Sequence, residues 1–514
     1  MWQHRLSLFF LALSSFVTLS AFWALGGQGT GPDYSLLSDP WFWQLLGFTF
    51  KQALLSSLLA VGLALPLARL LVLDRQLPLK AFFLRWCLLC FVLPSLVLIT
   101  GLILLLGRQG WLAPLLGPEW QIYGLQGILI AHVFLNLPLA IRLLSAQWAS
   151  IPSQSWRLAS QLQLSFWQQL YHVEWPALRP ILAPLFGLIF LLCFNSFAVV
   201  LTLGGGPASS TLEVAIYQAL KFDFNPGEAL FLAWTQLLLA GSLFWFFQRF
   251  GKLSWLAVAD SGPSWQPRPH RLTLYLGRLY YLLIGLFLSL PLLVLLPRAV
   301  QGLNAQLPWL LLLQASSWSL LLAASATLLC LSMALSLSHF AIVRGGLWAR
   351  FTRLIALHQL VVPGMVLAVG VYLFFLPWIY WQDWGWLALI LLNSLVALPY
   401  AFSQIQPAMF QYHQSYARLS QSLALTPWQH WRDVLWPFLK PCLLPSAGLV
   451  LVLLLGDMTL FSLFGSAHWP TLPWVIYELA GSYRLNEAAL ASLLLLGFSF
   501  LGLMWLERSR PSVT

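Results

Sequence analysis

The sequence predicts an all-α polytopic membrane protein of about twelve transmembrane helices, arranged as two parallel six-helix repeats. Three observations carry that reading. Hydrophobic residues make up 60% of the 514 and charged residues only 8%, where a soluble domain carries roughly a quarter charged. The apolar residues gather in continuous runs of the roughly 20 residues that a helix needs to cross a bilayer, without the alternation of a strand barrel. Finally, Arg157–Pro180 (RLASQLQLSFWQQLYHVEWPALRP) is echoed without a gap by Arg418–Pro441 (RLSQSLALTPWQHWRDVLWPFLKP), an offset of 261 (418 minus 157).

The predicted spans fall near residues 6–25, 48–72, 87–107, 123–146, 181–203 and 229–248, and then near 279–297, 318–339, 354–376, 386–406, 442–465 and 488–506. The first run follows Met-Trp-Gln-His-Arg and is longer than a signal-peptide core, so it reads as a retained anchor. With the N-terminus inside, 21 of the 26 Lys and Arg residues lie on the cytoplasmic side, as the positive-inside rule requires. Both termini are then cytoplasmic. The net charge of +11 is spread singly between apolar runs, which excludes a nucleic-acid patch. Pro66, near the inner end of the second span, predicts a kink or a stop. Five cysteines in or beside apolar runs argue against a disulfide framework, and Cys87-Leu-Leu-Cys90 reads as two packed small hydrophobes.

The duplication extends beyond the opening pair. Val-Leu-Pro94 through Gly101 returns as Val-Val-Pro363 through Gly370 at an offset of 269, and Leu137-Pro138 returns as Leu398-Pro399 at 261. The first half therefore holds one outer loop eight residues longer. Ile216-Tyr217 through Glu228 matches Ile476-Tyr477 through Glu487. Six helices separate the copies, an even number, so the repeats are parallel. Residues 1–248 form the first transmembrane repeat, 249–278 a cytoplasmic linker with Pro263, Pro267 and Pro269, and 279–514 the second repeat.

Both copies of the polar stretch fall on the cytoplasmic side. Leu158, Leu162 and Phe166 recur every four residues, as do Leu419 and Leu423, which predicts short amphipathic helices. The pairs Trp175-Pro176 and Trp436-Pro437 are expected to break the helix before the next span. A helix-turn-helix at the inner face presents a docking knob; the plainer reading is an interfacial anchor, and two matched copies favour docking.

These stretches resemble the EAA loop of ABC-transporter permeases, Glu-Ala-Ala, three residues, Gly, then Pro thirteen residues on. The Glu-Ala-Ala positions fall on Arg157-Leu158-Ala159 and Arg418-Leu419-Ser420, the Gly on Gln163 and Ala424, and the Pro on Pro176 and Pro437. The Pro matches, and the Glu and Gly do not. Further stretches, Gly107-Arg-Gln-Gly-Trp111, Tyr123-Gly-Leu-Gln-Gly, His132-Val-Phe-Leu-Asn136-Leu-Pro, Glu174-Trp-Pro-Ala-Leu-Arg179 and Leu203-Gly-Gly-Gly-Pro207, are similar to the fused permeases of bacterial thiamine ABC transporters. Fused ferric-iron permeases share the doubled architecture and are the alternative.

The resemblance implies a transport subunit that is not itself an enzyme. A periplasmic thiamine-binding protein delivers the substrate, and two copies of a cytoplasmic ABC ATPase dock on the coupling loops, with Trp167 and Trp428 beside the residues above. The chain has no Gly-x-x-x-x-Gly-Lys-Ser/Thr loop, so no cofactor is expected on it, and ATP and Mg belong to the partner ATPase. An ion-coupled secondary transporter also fits twelve helices, but it leaves the doubled inner loop unexplained. An intramembrane enzyme lacks a nucleophile-base pair or a metal constellation.

Polar groups inside the membrane suggest function. Asp457, with Asn195 at an offset of 262, is the substrate-path candidate. A carboxylate at mid-pore suits a cationic substrate held by aromatic rings; an interhelical hydrogen bond is the plainer alternative. His132 and Asn136 read as a packed, hydrogen-bonded pair in preference to a metal or proton site. Gly204-Gly205-Gly206-Pro207 reads as the break ending the fifth span. Trp111, Trp120, Trp378, Trp381 and Trp384 read as an interface belt.

Overall fold

Every regular element among the described residues is a helix, the form in which a chain this apolar satisfies its own backbone in lipid. The computed structural model describes residues 2–25, 31–117, 119–249, 270–303, 309–416 and 425–508. In chain order the longer helices are α1 (Trp2–Leu25), α2 (Pro40–Leu73), α3 (Lys80–Val92), α4 (Ser95–Leu106), α5 (Leu125–Ala149), α6 (Ser153–Gln161), α7 (Trp175–Phe194), α8 (Leu212–Lys221) and α9 (Pro226–Gln248). After residues 250–269 follow α10 (Arg271–Leu293), α11 (Leu295–Leu303), α12 (Trp309–Arg344), α13 (Gly346–Leu357), α14 (Gly364–Phe375), α15 (Trp381–Ser415), α16 (Trp436–Leu455), α17 (Leu472–Gly481) and α18 (Leu485–Arg508).

Ten helical stretches among the described residues are long and apolar enough to cross a membrane, and the bent pair α3–α4 makes eleven. The expected span at 87–107 is two helices meeting at 103°. Pro94 cannot donate to the helix, and Leu93 before it is pushed extended, with ψ 132°. The expected span at 354–376 divides in the same way before Pro363. It leaves α14, at 12 residues, too short to cross alone. Helix α2 passes through Pro66 to Leu73 without the stop that the proline suggested.

The helices gather into two compact units, each drawing on both repeats. Unit I comprises Met1–Ser38, Leu212–Leu238 and Arg298–Thr514; unit II comprises Asp39–Thr211 and Leu239–Pro297. In unit II, α2 beds against α5 and α7, and α10 closes on α2 and α4. Arg278 of α10 pairs with Asp74 at 2.8 Å, and the Tyr280 hydroxyl donates to the Leu63 carbonyl. In unit I, α12 packs with α15 and α16, and α1 lies along α14. The Ser7 hydroxyl donates to the Ser336 carbonyl, and Thr18 meets His358 at 2.8 Å.

The duplicated glycines acquire a reason here. A Cβ on Gly101 would stand 2.1 Å from the Pro291 carbonyl oxygen of α10, and one on Gly370 would stand 2.7 Å from Ala21 of α1. Each repeat thus keeps a glycine where the leading helix of the other repeat crosses closely, the small-residue contact that lets helices meet in lipid.

Candidate functional site

The first polar stretch begins with α6, whose inward face is Trp156 and Ala159, both buried, and whose outward face carries Arg157 and Leu158. The chain turns just after it. Gln163 takes a left-handed conformation at φ 48°, its N–H bonds to the Ser160 carbonyl, and the Leu164 N–H bonds to the Ala159 carbonyl. This pair of bonds is a Schellman cap. The glycine expected at Gln163 from the EAA pattern is thus the residue that suits this backbone best, and here a glutamine bears the strain. Leu162, Gln163, Trp167 and Pro176 are exposed.

Ser165 then opens a new helix through a capping box: its hydroxyl accepts from the Gln168 N–H, and the Gln168 side chain accepts from the Ser165 N–H at 2.9 Å. The expected break at Trp175-Pro176 does not occur. The helix continues from Phe166 to Phe194, widening into a π-turn at Leu170–Glu174 in which the Trp175 N–H reaches back to the Leu170 carbonyl. That wider turn accommodates a proline that has no N–H to donate. The turn of the motif is made by the left-handed Gln163 instead.

A buried clamp holds this stretch to the span ends. Glu174 is fully buried, and its carboxylate accepts from Arg69 Nε and Nη2, both at 2.8 Å, and from Trp148 Nε1 at 2.9 Å. The Arg69 guanidinium also lies 4.9 Å from the centre of the Phe166 ring. One acid therefore ties α2, α5 and the loop together through charge-assisted bonds. Arg69, Trp148 and Glu174 were not among the expected site residues. The available signal was Glu174 itself, an acid on the side where basic residues dominate.

In the second copy, Arg418, Leu419, Ser420, Leu423 and Ala424 lie outside the described residues. From Thr426 onward the copy repeats the first: Thr426 and Gln429 form the same reciprocal cap, a π-turn spans His430–Leu435, and the helix runs on through Trp436-Pro437. Trp428 and Pro437 are exposed. Among the described residues the clamp does not recur. Leu435 stands where the first copy has Glu174. His339 meets His413 at 3.4 Å, while the Tyr412 hydroxyl bonds to His430. The same outline is thus fastened once by an ion pair and once, among the described residues, by hydrogen bonds of histidine rings.

The substrate-path candidates lie at the ends of equivalent helices. Asn195 caps α7, its N–H bonded to the Leu191 carbonyl, and Asp457 follows α16. The Asp457 carboxylate accepts from Asn393 Nδ2 of α15 and from the Leu460 N–H, both at 3.4 Å. In unit II, His132 Nδ1 faces the Ser56 hydroxyl at 3.1 Å, and Asn136 Nδ2 donates to the His132 carbonyl and to the Cys193 thiol. Cys87 and Cys90 are buried and unbridged. Gly205 and Gly206, at φ 73° and 141°, make the turn after the helix Ala198–Leu203. Outside the spans, Glu213 of α8 is buried with Gln236 as a donor, and burial pushes its carboxyl up to about 8.

The chain matches the binding-protein-dependent transport system inner membrane component family twice, over residues 60–252 and 326–510. It is 38% identical over 502 residues to the thiamine transport system permease protein ThiP of Escherichia coli, covering 94% of this chain and 92% of that one. It is 36% identical over 498 residues to ThiP of Haemophilus influenzae, covering 94% and 91%. Its similarity to the ferric transport system permease protein FbpB of Actinobacillus pleuropneumoniae is 28% over 186 residues, only 34% of this chain.

Proposed function

Because the chain belongs to the family of binding-protein-dependent transport system inner membrane components, we propose that it is the fused permease subunit of an ABC importer that carries thiamine across the bacterial inner membrane. The observation that carries the substrate is similarity to thiamine permeases along nearly the whole length of both chains, whereas the ferric likeness covers a third.

The mechanism follows from the two loops. Leu158, Leu162, Phe166 and Trp167 stand exposed on the first stretch, and Trp428 on the second. They offer an apolar seat to two copies of a cytoplasmic ATPase, which carry ATP and Mg. From Phe166 in the first copy and from Trp428 in the second, the seat leads without a break into a long helix, α7 or α16, that ends beside Asn195 or Asp457. A push on the seat is therefore delivered along a rigid rod to the substrate path. The distribution of Lys and Arg supports cytoplasmic termini and loops. On the opposite face a periplasmic binding protein hands over thiamine or its phosphates, and the Asp457 carboxylate offers a counter-charge to the thiazolium.

Growth of a thiamine auxotroph lacking its own permease tests the reading. Expression of this chain with its ATPase and binding protein restores growth on low external thiamine. Failure to do so, with iron uptake restored instead, would transfer the assignment to the ferric alternative.

A further inference from the structure

Inside unit II a small polar cluster is surrounded by apolar packing. Gln52 and Ser56 lie one turn apart on α2, His132 and Asn136 one turn apart on α5, and both pairs meet Cys193 near the end of α7. Gln52 Nε2 donates to the Cys193 carbonyl at 2.9 Å and to the Thr49 carbonyl at 3.2 Å. Asn136 Nδ2 reaches the Cys193 thiol at 3.5 Å. Two atoms of this cluster have no hydrogen-bond partner among the described residues, Gln52 Oε1 and His132 Nε2. Their side chains are almost fully buried, at 0% and 2% exposure. Buried polar atoms are nearly always paired, and leaving one unpaired inside a membrane protein costs more than making the residue apolar.

The free atoms have defined character. The Gln52 amide cannot turn over without losing two carbonyl bonds from its nitrogen, so Oε1 is held as an acceptor. In the tautomer in which Nδ1 accepts from the Ser56 hydroxyl, the His132 proton sits on Nε2, which is then a donor. We propose that Gln52 and His132 form a station for the aminopyrimidine ring of the substrate, Gln52 Oε1 accepting from the exocyclic amine and His132 Nε2 donating to the adjacent ring nitrogen. This rests on the thiamine reading above. The cluster is closed off by packing, so it is engaged as the helices part during transport. The second repeat lacks the arrangement: Asn393 stands where His132 does and is spent on Asp457. The two repeats are thus specialised, the first for the hydrogen-bonding ring.

The test uses the whole transporter in proteoliposomes, with binding protein saturated by either thiamine or oxythiamine, whose oxo group and ring N–H reverse the donor and acceptor. The wild type moves thiamine roughly tenfold to a hundredfold faster than oxythiamine, the factor expected when a buried acceptor meets no donor. Gln52→Met and His132→Asn, in complexes that still assemble with the ATPase, bring the ratio to within about threefold of unity. A wild-type ratio near one, or variants that keep the wild-type ratio, overturns the proposal; the first needs no variant and so stands even if both fail to fold. Absence of any thiamine uptake by the wild type overturns the import reading itself, and the station with it.

Discussion

Replacing Glu174 by glutamine removes one charge and keeps the shape, which makes it the sharpest probe of how the first loop is held. The carboxylate accepts three bonds, two from Arg69 and one from Trp148, and is itself fully buried. Breaking a buried pair by removing one partner costs about 3–5 kcal/mol, because the other charge is left uncompensated. Arg69 keeps 16% side-chain exposure, so water recovers part of that loss, and a destabilisation of about 2–3 kcal/mol is expected. Thermal unfolding of the purified permease in detergent, with a double-mutant cycle against Arg69→Met, measures it; a coupling energy of about 1.5 kcal/mol or more is expected for the pair. The loop also loses its fixed seat, so transport per ATP falls while basal ATP hydrolysis persists. Additivity of the two substitutions to within about 0.5 kcal/mol, with unchanged transport per ATP, would refute the clamp.

Gln163→Gly, at a left-handed residue, is expected to stabilise the protein by roughly 0.5–1 kcal/mol, visible as a higher melting temperature; a lower one would mean that the glutamine side chain contributes more than its backbone strain costs. Gly101→Val and Gly370→Val press a side chain into a backbone 2.1 Å and 2.7 Å away and should each cost roughly 1–3 kcal/mol or more; full-level assembly of either would contradict the close crossings. Glu213 has its folded-state pKa raised to about 8 from 4.5, so its contribution is fully present below pH 4.5 and is lost as pH rises to about 8. Melting temperature should fall over that window, and Glu213→Gln should flatten the fall; parallel curves would exclude Glu213 as the cause. Asp457→Asn should lower uptake of a cationic substrate at least about tenfold with the complex intact, whereas unchanged uptake would reduce Asp457 to an interhelical hydrogen bond with Asn393.

Much of the architecture was legible in the chain because its signals are local and repeated. Apolar runs report spans wherever they occur, since lipid admits no other solution for the backbone. The pairs Ser165/Gln168 and Thr426/Gln429 were readable as capping boxes at three-residue spacing. The prolines were harder. Pro94 divides a span, Pro66 does not stop one, and Pro176 is absorbed by a π-turn, because the outcome depends on whether surrounding helices hold the chain straight.

By itself, then, the sequence determined that this is a doubled, helical membrane protein with one polar loop repeated at the same face, for hydropathy and duplication are written residue by residue. Tertiary structure alone decided which helices share a unit, and that α1 and α10 pack with helices of the opposite repeat. It also decided that Glu174 is clamped by Arg69, 105 residues away, and that Gln52 and His132 each bury a polar atom without a partner among the described residues. Such pairings arise only when distant turns are brought together, and no periodicity along the chain encodes them. The left-handed Gln163 marks the boundary between the two: the spacing located the loop, and only the folded backbone explained the residue expected there.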